Sequence, residues 1–504
     1  MGWDLRKRLD AVFIILIFLA HIIILIPHVE ASYSANLTYY IEVKENANAT
    51  IKMIFKADGS GIGFVSLPLF EKYTVNVTTG SVEWVKYEDI SVFYTNATFK
   101  FSGKPVEMII SYEFPYASLI SGDTAWFMSN YILASPNFNV FVEVKLYGLN
   151  SEKEIRFWPY HPVERKGNIF VFHIKNPLLD NRVIIEYKLA NEVPTISHEK
   201  TIGETKVVVH VAEYYRDIAD KVFYAFEKTY DDLKYVFRDL PSKLDFECYL
   251  PELNDLTALG YVKERTIDVG AEGPIYLNLA LIRFKEGFVE ETTIHEFVHL
   301  ALGRLGVSSK REIRWFHEGM AEYLAIKLCN RSGIDVSDYV ETHREAVKVL
   351  LKEYDGDLSF IIDWEYNTPL IRLYYSASYY IINKTAEKYG GLAYIRKLVS
   401  EIDRMGGLES NEDIVKAMSN AANEDLSQQF REWGFPIKEK ENGVVSNGEN
   451  DKILRVLHEI LETLVVVAAI IVIILIAIVI LLIRWFTKRL KRPPLEYASD
   501  IYQF

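Results

Sequence analysis

The spacing of two histidines, His295 and His299, restricts the local fold of this chain more than any other feature of its sequence. They lie in the segment TTIHEFVHLALG, whose apolar residues predict a helix packed into a core. Residues i and i+4 share one face of a helix, so both imidazoles can reach one metal ion. Glu296 lies between them, where it can act as a general base toward a water molecule. For this segment alone, a buried helix with two incidental histidines is the alternative.

A second helical segment, RWFHEGMAEYLA, carries a candidate third ligand. Glu318 lies at its centre, and 18 residues separate it from His299. A carboxylate brought to the same metal would complete a site of two histidines and one glutamate, with one position left open for water. Glu322 follows one helical turn later and is predicted to hold a ligating imidazole in place. A solvent-facing glutamate is the alternative for Glu322.

The two segments together resemble the zinc site of the gluzincin peptidases. HEFVH, the 18-residue gap and WFHEGMAEY are similar to the membrane-alanyl-aminopeptidase type and to peptidase MA-like domains. The resemblance covers residues 205–435 and implies a thermolysin-like peptidase domain. It also implies one zinc ion held by His295, His299 and Glu318, with Glu296 as the general base. Peptides or proteins would then be the substrates.

Two further roles are implied by the resemblance. In the family, a tyrosine some sixty residues after the third ligand donates a hydrogen bond to the oxyanion. The resemblance therefore implies this role for Tyr375, with Tyr374 as the second choice. The alternative is that the tyrosine is an aromatic residue of the core. Family aminopeptidases also carry Gly-x-Met-Glu-Asn, whose Glu binds a free amine. Here VGAEG places Glu272 at a similar distance, without the Met and Asn. Endopeptidase and aminopeptidase activity therefore both stay open. His317 stands where the family often has Asn, and is interpreted as structural or substrate-side.

The rest of the central chain divides by its periodicity. Apolar residues alternate with polar ones through residues 33–195, which predicts an antiparallel β-sandwich-like domain. Residues 191–205 are polar, contain Pro and Gly, and predict a linker. Strands and then helices follow in 205–435, so the predicted fold class is α+β, with the helices mostly in the C-terminal half of this domain. PIYLNL, at 274–279, is predicted to be an edge strand that pairs with an extended peptide. The polar segment 437–452 is predicted to be a stalk.

The two chain ends predict a membrane protein. Residues 1–31 have the pattern of a signal peptide, with an uncleaved anchor as the alternative. Residues 464–483 are continuously apolar and long enough for one transmembrane helix. Basic residues in the tail 484–504 place that tail in the cytoplasm. These patterns predict a single-pass protein of the cell membrane with an extracellular catalytic domain.

Composition narrows the class of partner. The net charge of −13 argues against nucleic-acid binding. Cys248 and Cys329 are either one disulfide or two separate thiols. Six N-x-[ST] triplets predict glycosylation, at Asn36, Asn48, Asn76, Asn96, Asn330 and Asn383. The predicted function is that of a membrane-anchored zinc metallopeptidase. The alternative is a non-catalytic cell-surface binding protein that retains the peptidase scaffold.

Overall fold

The computed structural model describes residues 34–438, apart from 92, 179–181, 255, 257 and 367. The N-terminal part of this region is built from two sheets. A seven-stranded sheet has the order β3-β4-β2-β1-β6-β9-β8, and a three-stranded sheet has the order β5-β10-β7. Their strands are β1 (Ser34–Val43), β2 (Ala49–Pro68), β3 (Thr74–Asp89), β4 (Tyr94–Phe114), β5 (Ser118–Met128), β6 (Phe138–Leu146), β7 (Arg156–Trp158), β8 (Glu164–Lys166), β9 (Ile169–Ile174) and β10 (Ile184–Val193).

The strands form where alternate side chains can enter one core. In β1, Leu37, Tyr39, Ile41 and Val43 are buried while most of their neighbours face solvent, as a pleated strand with one covered face requires. The strand direction differs from the prediction, because β1 pairs antiparallel with β2 but parallel with β6. The predicted antiparallel sheet is therefore corrected to a mixed one.

A five-stranded sheet follows, with the order β11-β12-β13-β15-β14. Its strands are β11 (Thr195–Ile202), β12 (Thr205–Ala212), β13 (Lys243–Tyr249), β14 (Gly260–Val262) and β15 (Ile275–Asn278). β12, β13 and β15 are parallel, and both edge strands are antiparallel to their neighbours. Two predictions are corrected here. Residues 195–202 form the edge strand β11 rather than a linker, and β15 lies inside the sheet, so that the edge beyond it is β14.

Nine α-helices occur among the described residues, which makes the described fold α+β. They are α1 (Arg216–Phe237), α2 (Glu264–Asp268), α3 (Phe288–Arg304), α4 (Arg314–Arg331), α5 (Ser337–Glu353), α6 (Ile371–Tyr389), α7 (Leu392–Met405), α8 (Asn411–Ala422) and α9 (Ser427–Glu432). Helices α3 and α4 are buried along almost their whole length, polar positions included. Burying a polar side chain without a hydrogen-bond partner costs free energy. The buried polar residues of these two helices therefore indicate a polar site.

Two predictions about the membrane are corrected by the structure. In the part of the chain that is described, no helix is both long enough and apolar enough to cross a bilayer. The predicted transmembrane helix at 464–483 lies outside the described residues, as do the signal peptide 1–31, almost all of the stalk 437–452 and the tail 484–504. The predicted transmembrane helix and the predicted single-pass localisation in the cell membrane are therefore not supported by the described residues.

The cysteines and the sequon asparagines are placed as follows. Cys248 in β13 and Cys329 in α4 are both free thiols, in agreement with the alternative of two separate thiols. The six asparagines fall into two groups: Asn36, Asn76 and Asn330 are exposed, and Asn48, Asn96 and Asn383 are half-buried. Glycosylation at these positions stays a prediction.

Candidate metal centre

The predicted ligands meet at one point between α3 and α4. The Nε2 atoms of His295 and His299 are 3.1 Å apart. Oε2 of Glu318 lies 3.3 Å from each of those nitrogen atoms. All three side chains are buried, and they form a group that could hold a metal ion. The i, i+4 spacing on α3 and the neighbouring helix α4 thus produce the arrangement that the sequence predicts.

A glycine lets α4 lie close enough to its neighbours. Gly319 follows Glu318, and a Cβ there would lie 2.6 Å from the backbone oxygen of Ser378 and 2.8 Å from Cγ1 of Ile382, both on α6. Any larger residue would push the two helices apart. This close packing keeps Glu318 on α4 near the start of α6, where Tyr375 is located.

The three donor atoms fit a small tetrahedral metal ion. Bonds of about 2.0–2.2 Å at tetrahedral angles place the ligand atoms of zinc about 3.3–3.6 Å apart. The observed separations of 3.1 and 3.3 Å are close to these values. Oε2 of Glu318 is also buried without a hydrogen-bond partner among the described residues. Buried polar atoms nearly always have a partner in folded proteins. A metal ion at this point would satisfy it.

The surroundings of His299 and Glu318 favour the protonation states that bind a metal ion. Burial lowers the pKa of His299 to about 4, so its imidazole is neutral at pH 7. Burial alone would raise the pKa of Glu318, but the nearby His299 and Arg314 hold it well below its usual range. Nε of Arg314 donates to Oε1 of Glu318 at 2.8 Å. A neutral imidazole and an ionised carboxylate are the forms that bind metal.

An excess of buried acid surrounds the site. Glu291, Glu296, Glu318 and Glu322 are all buried. Of the three cations that line the same cavity, Arg314 is half-buried, whereas Lys263 and Arg372 are exposed. Burial raises the pKa of Glu291 to about 8 and that of Glu296 to about 7. Burial also disfavours the charged form of His295, yet these carboxylates, Glu318 first, raise its pKa to about 10. Carboxylates that face too little positive charge favour a bound divalent cation.

His299 is held in the tautomer that a metal ligand needs. Burial lowers the pKa of His317 to about 3, so this ring is neutral. Its Nε2 lies 3.3 Å from the backbone oxygen of Val307, and we assign the proton of His317 to that atom. Nδ1 of His317 can then accept from Nδ1 of His299 at 3.4 Å, which leaves Nε2 of His299 free as a ligand. His317 is thus structural, one of its two predicted roles.

His295 is supported on its other side by acidic residues. Its Nδ1 lies 3.9 Å from Oε1 of Glu322 and 3.9 Å from Oε1 of Glu291. Glu322 is held in turn by His343, whose Nε2 is 3.2 Å from Oε2 of Glu322 and whose Nδ1 is 2.9 Å from Oγ of Ser376. Glu322 thus lies beside the imidazole of His295, and its predicted role in holding that imidazole in place stays a prediction. Glu291, His343 and Ser376 were not predicted, and only the helical spacing of Glu291 to His295 could have signalled one of them.

The Glu296 side chain lies against the edge strand β14 and lines the same cavity as the three ligands. Its Oε2 is buried and has no hydrogen-bond partner among the described residues. A Cβ on Gly260 would lie 2.8 Å from Cγ and 2.9 Å from Oε1 of Glu296. The absence of a side chain at residue 260 therefore makes the space that the Glu296 carboxylate occupies.

A cavity of 640 Å³ opens beside the three ligands. It is lined by β14, by the ligands, and by Glu264, Arg314, Tyr366 and Tyr375. The Tyr375 ring contacts Trp364 edge-on at 5.3 Å, and burial raises the pKa of its hydroxyl well above 10. Tyr374, the second choice, instead packs into an aromatic cluster with Phe360 and Trp364. Of the two tyrosines, Tyr375 is the one that lines this cavity.

Glu272 is not brought to the cavity. Its carboxylate is half exposed and lies 3.5 Å from Nη1 of Arg304, at the end of α3. Glu264 lines the cavity instead, two residues after β14. A substrate-binding role for Glu272 finds no support in this placement.

Comparison with known proteins yields distant likenesses among solved structures, where 125 chains match. No protein-family model matches the sequence, and neither does any curated protein. Among solved structures, the chain is similar to an aminopeptidase N family protein from Idiomarina loihiensis, with a TM-score of 0.35 and 11% sequence identity. The similarity covers 80% of this chain and 76% of that chain. At this distance the likeness adds no weight to the assignment of the site, which depends on the distances given above.

Proposed function

We propose that this protein is a zinc metallopeptidase. The observation that carries the proposal is the cluster of three buried donor atoms, which lie 3.1 to 3.3 Å apart. Beside them lies the carboxylate of Glu296, whose Oε2 has no hydrogen-bond partner among the described residues. Two histidines and one glutamate leave one position open at a four-coordinate zinc, as catalytic sites do. A structural zinc site would instead be closed by a fourth ligand, which is usually cysteine.

The chemistry of zinc is that of a Lewis acid that polarises a carbonyl group and lowers the pKa of water to about 7. The residues of the chain supply the proton transfers. Glu296 accepts the proton of the attacking water and passes it to the leaving amine. Burial raises the pKa of Glu296 when no metal is bound, and a bound divalent cation would lower it again and favour the ionised form that a general base needs.

The substrate is proposed to bind as an extended strand along β14. This three-residue strand is the last in its sheet and pairs only with β15 among the described strands. An unpaired strand edge can hydrogen-bond an extended peptide backbone. The residues of β14 also line the cavity that contains the ligands, so a peptide paired there would pass in front of Glu296.

The proposal is tested by measuring metal content and peptide hydrolysis on the same sample. The purified full-length chain is expected to contain one zinc ion and to cleave members of a diverse, unstructured peptide library, as detected by mass spectrometry. A chelator should remove both the zinc and the cleavage, and added zinc should restore them. A chain that holds zinc but cleaves none of the peptides would favour the non-catalytic binding protein, and a chain without zinc would contradict the metal assignment.

Replacing Tyr375 with Phe should slow hydrolysis by about 100- to 1,000-fold, since one donor to a developing oxyanion is worth roughly that much. The effect should appear in kcat rather than in KM, because the oxyanion exists only in the transition state. Tyr374→Phe is the matched control: Tyr374 lies in the aromatic cluster and should keep wild-type kinetics. Equal loss in both variants would indicate a structural role and contradict the assignment of Tyr375.

A further inference from the structure

A second cavity, of 390 Å³, lies where the N-terminal strands meet the segment between β15 and α3. We call it the arginine cavity. Its walls are mainly apolar and aromatic, and include Phe70, Tyr94, Phe114, Met128, Ile282 and Phe284. Two cations, Arg182 and Arg283, also line it. It shares no lining residue with the cavity that contains His295, His299 and Glu318.

Arg283 is the unusual group in this cavity. It ends a 3-10 helix, Leu279–Arg283, and its guanidinium lies over the Phe114 ring, 4.9 Å from the centroid. Nη2 donates to the backbone oxygen of Met128 at 3.3 Å. Nη1 is buried and has no hydrogen-bond partner among the described residues. Buried guanidinium groups normally have their donors satisfied, usually by a carboxylate.

The charge of Arg283 is not compensated by the described protein. Burial lowers the pKa of Arg283 to about 10, and the nearby charge of Arg182 adds to the effect. Arg182 is differently placed: Nη1 contacts Sδ of Met128 at 3.4 Å, its guanidinium lies 5.6 Å from the Tyr131 ring centroid, and it has other partners besides. No carboxylate is among the residues that line the cavity, so the positive charge of its arginines borders an apolar space.

We infer that the arginine cavity binds an organic monocarboxylate with an apolar body, such as a medium-chain fatty acid. A carboxylate matches the planar donor fork of a guanidinium. A monocarboxylate brings one negative charge out of water, whereas a phosphate dianion would bring two. The aromatic walls would cover the hydrocarbon part of the ligand. This inference does not depend on the proposed peptidase activity.

Decanoate is a suitable probe, with methyl decanoate and inorganic phosphate as comparisons. Titration calorimetry on the full-length chain should give one decanoate site, and decanoate should raise the unfolding midpoint by several degrees. Methyl decanoate and phosphate should bind at least tenfold more weakly. Because carboxylates also bind zinc, the titration is repeated on chelator-treated protein, where decanoate binding should be unchanged.

Arg283→Met should weaken decanoate binding at least tenfold without lowering the unfolding midpoint of the free protein, since the variant removes an unpaired buried charge. Arg396→Met is the matched control, because Arg396 also lies over an aromatic ring, that of Tyr235 at 4.5 Å, but does not line this cavity. Should Arg283→Met fail to fold, Ala280→Leu, which fills the cavity wall, must weaken binding instead. Equal binding of decanoate and its methyl ester, or unchanged affinity in Arg283→Met, would overturn the inference.

Discussion

Glu296→Gln is expected to abolish peptide hydrolysis while leaving the zinc content at one ion per chain. The amide keeps the size of the side chain but cannot accept a proton from water. Loss of a general base costs typically 100- to 10,000-fold in rate. None of the three ligand atoms belongs to Glu296, so metal binding should persist. Steady-state kinetics and elemental analysis on the same preparation check both parts.

Glu290→Gln is the matched control for this variant. Glu290 is also buried and also lies on α3, but Oε2 of Glu290 accepts from the backbone nitrogen of Gly287 at 3.1 Å and caps the start of the helix. An amide oxygen can accept the same hydrogen bond. Full activity is therefore expected in Glu290→Gln. Comparable rates in the two variants would show that Glu296 is not the base.

Glu318→Ala is expected to lose both zinc and activity and to be the least stable of these variants. Removing the carboxylate leaves Arg314 as a buried charge without its partner, and breaking a buried ion pair in this way costs about 3–5 kcal/mol. The metal contribution is lost as well, which is about 4 kcal/mol when free zinc exceeds the dissociation constant a thousandfold. Thermal unfolding with and without a chelator separates the two losses.

The double variant Glu318→Ala, Arg314→Met is the control for the ion pair. It removes both charges, so the stability measured without metal should recover toward that of the chelated wild type. Zinc binding should not recover, because the third ligand is still missing. Restored zinc content in the double variant would contradict the assignment of Glu318 as a ligand.

The parts of the site that were predictable are those set by local geometry. The i, i+4 spacing places His295 and His299 on one face of any helix, whatever the rest of the fold. Glu318 could be named because its segment is itself a helix with a recognisable pattern. The chain brings Arg314 to the site by the same local rule, one turn before Glu318 on α4, although the sequence offers no reason to single it out.

The parts that were missed depend on contacts between distant segments. The role of Glu272 was predicted from its distance along the chain from α3. Helix α2 and the turn after it lie between β14 and β15, so distance along the chain does not give distance in space. His343 reaches Glu322 from α5, and no motif surrounds it. Strand alternation identifies the buried face of β1 but carries no information about whether β6 runs parallel to it.

The ion pair between Arg314 and Glu318 has a consequence for metal choice. Oε1 of Glu318 is engaged by Arg314 at 2.8 Å, and only Oε2 faces the two imidazoles. The carboxylate can therefore offer a metal one oxygen atom and not two. Calcium needs six to eight oxygen ligands, and magnesium prefers an octahedral set of oxygen atoms. Two nitrogen atoms and one oxygen atom would suit neither ion, so on the proposed function Arg314 would help the site to discriminate against calcium and magnesium.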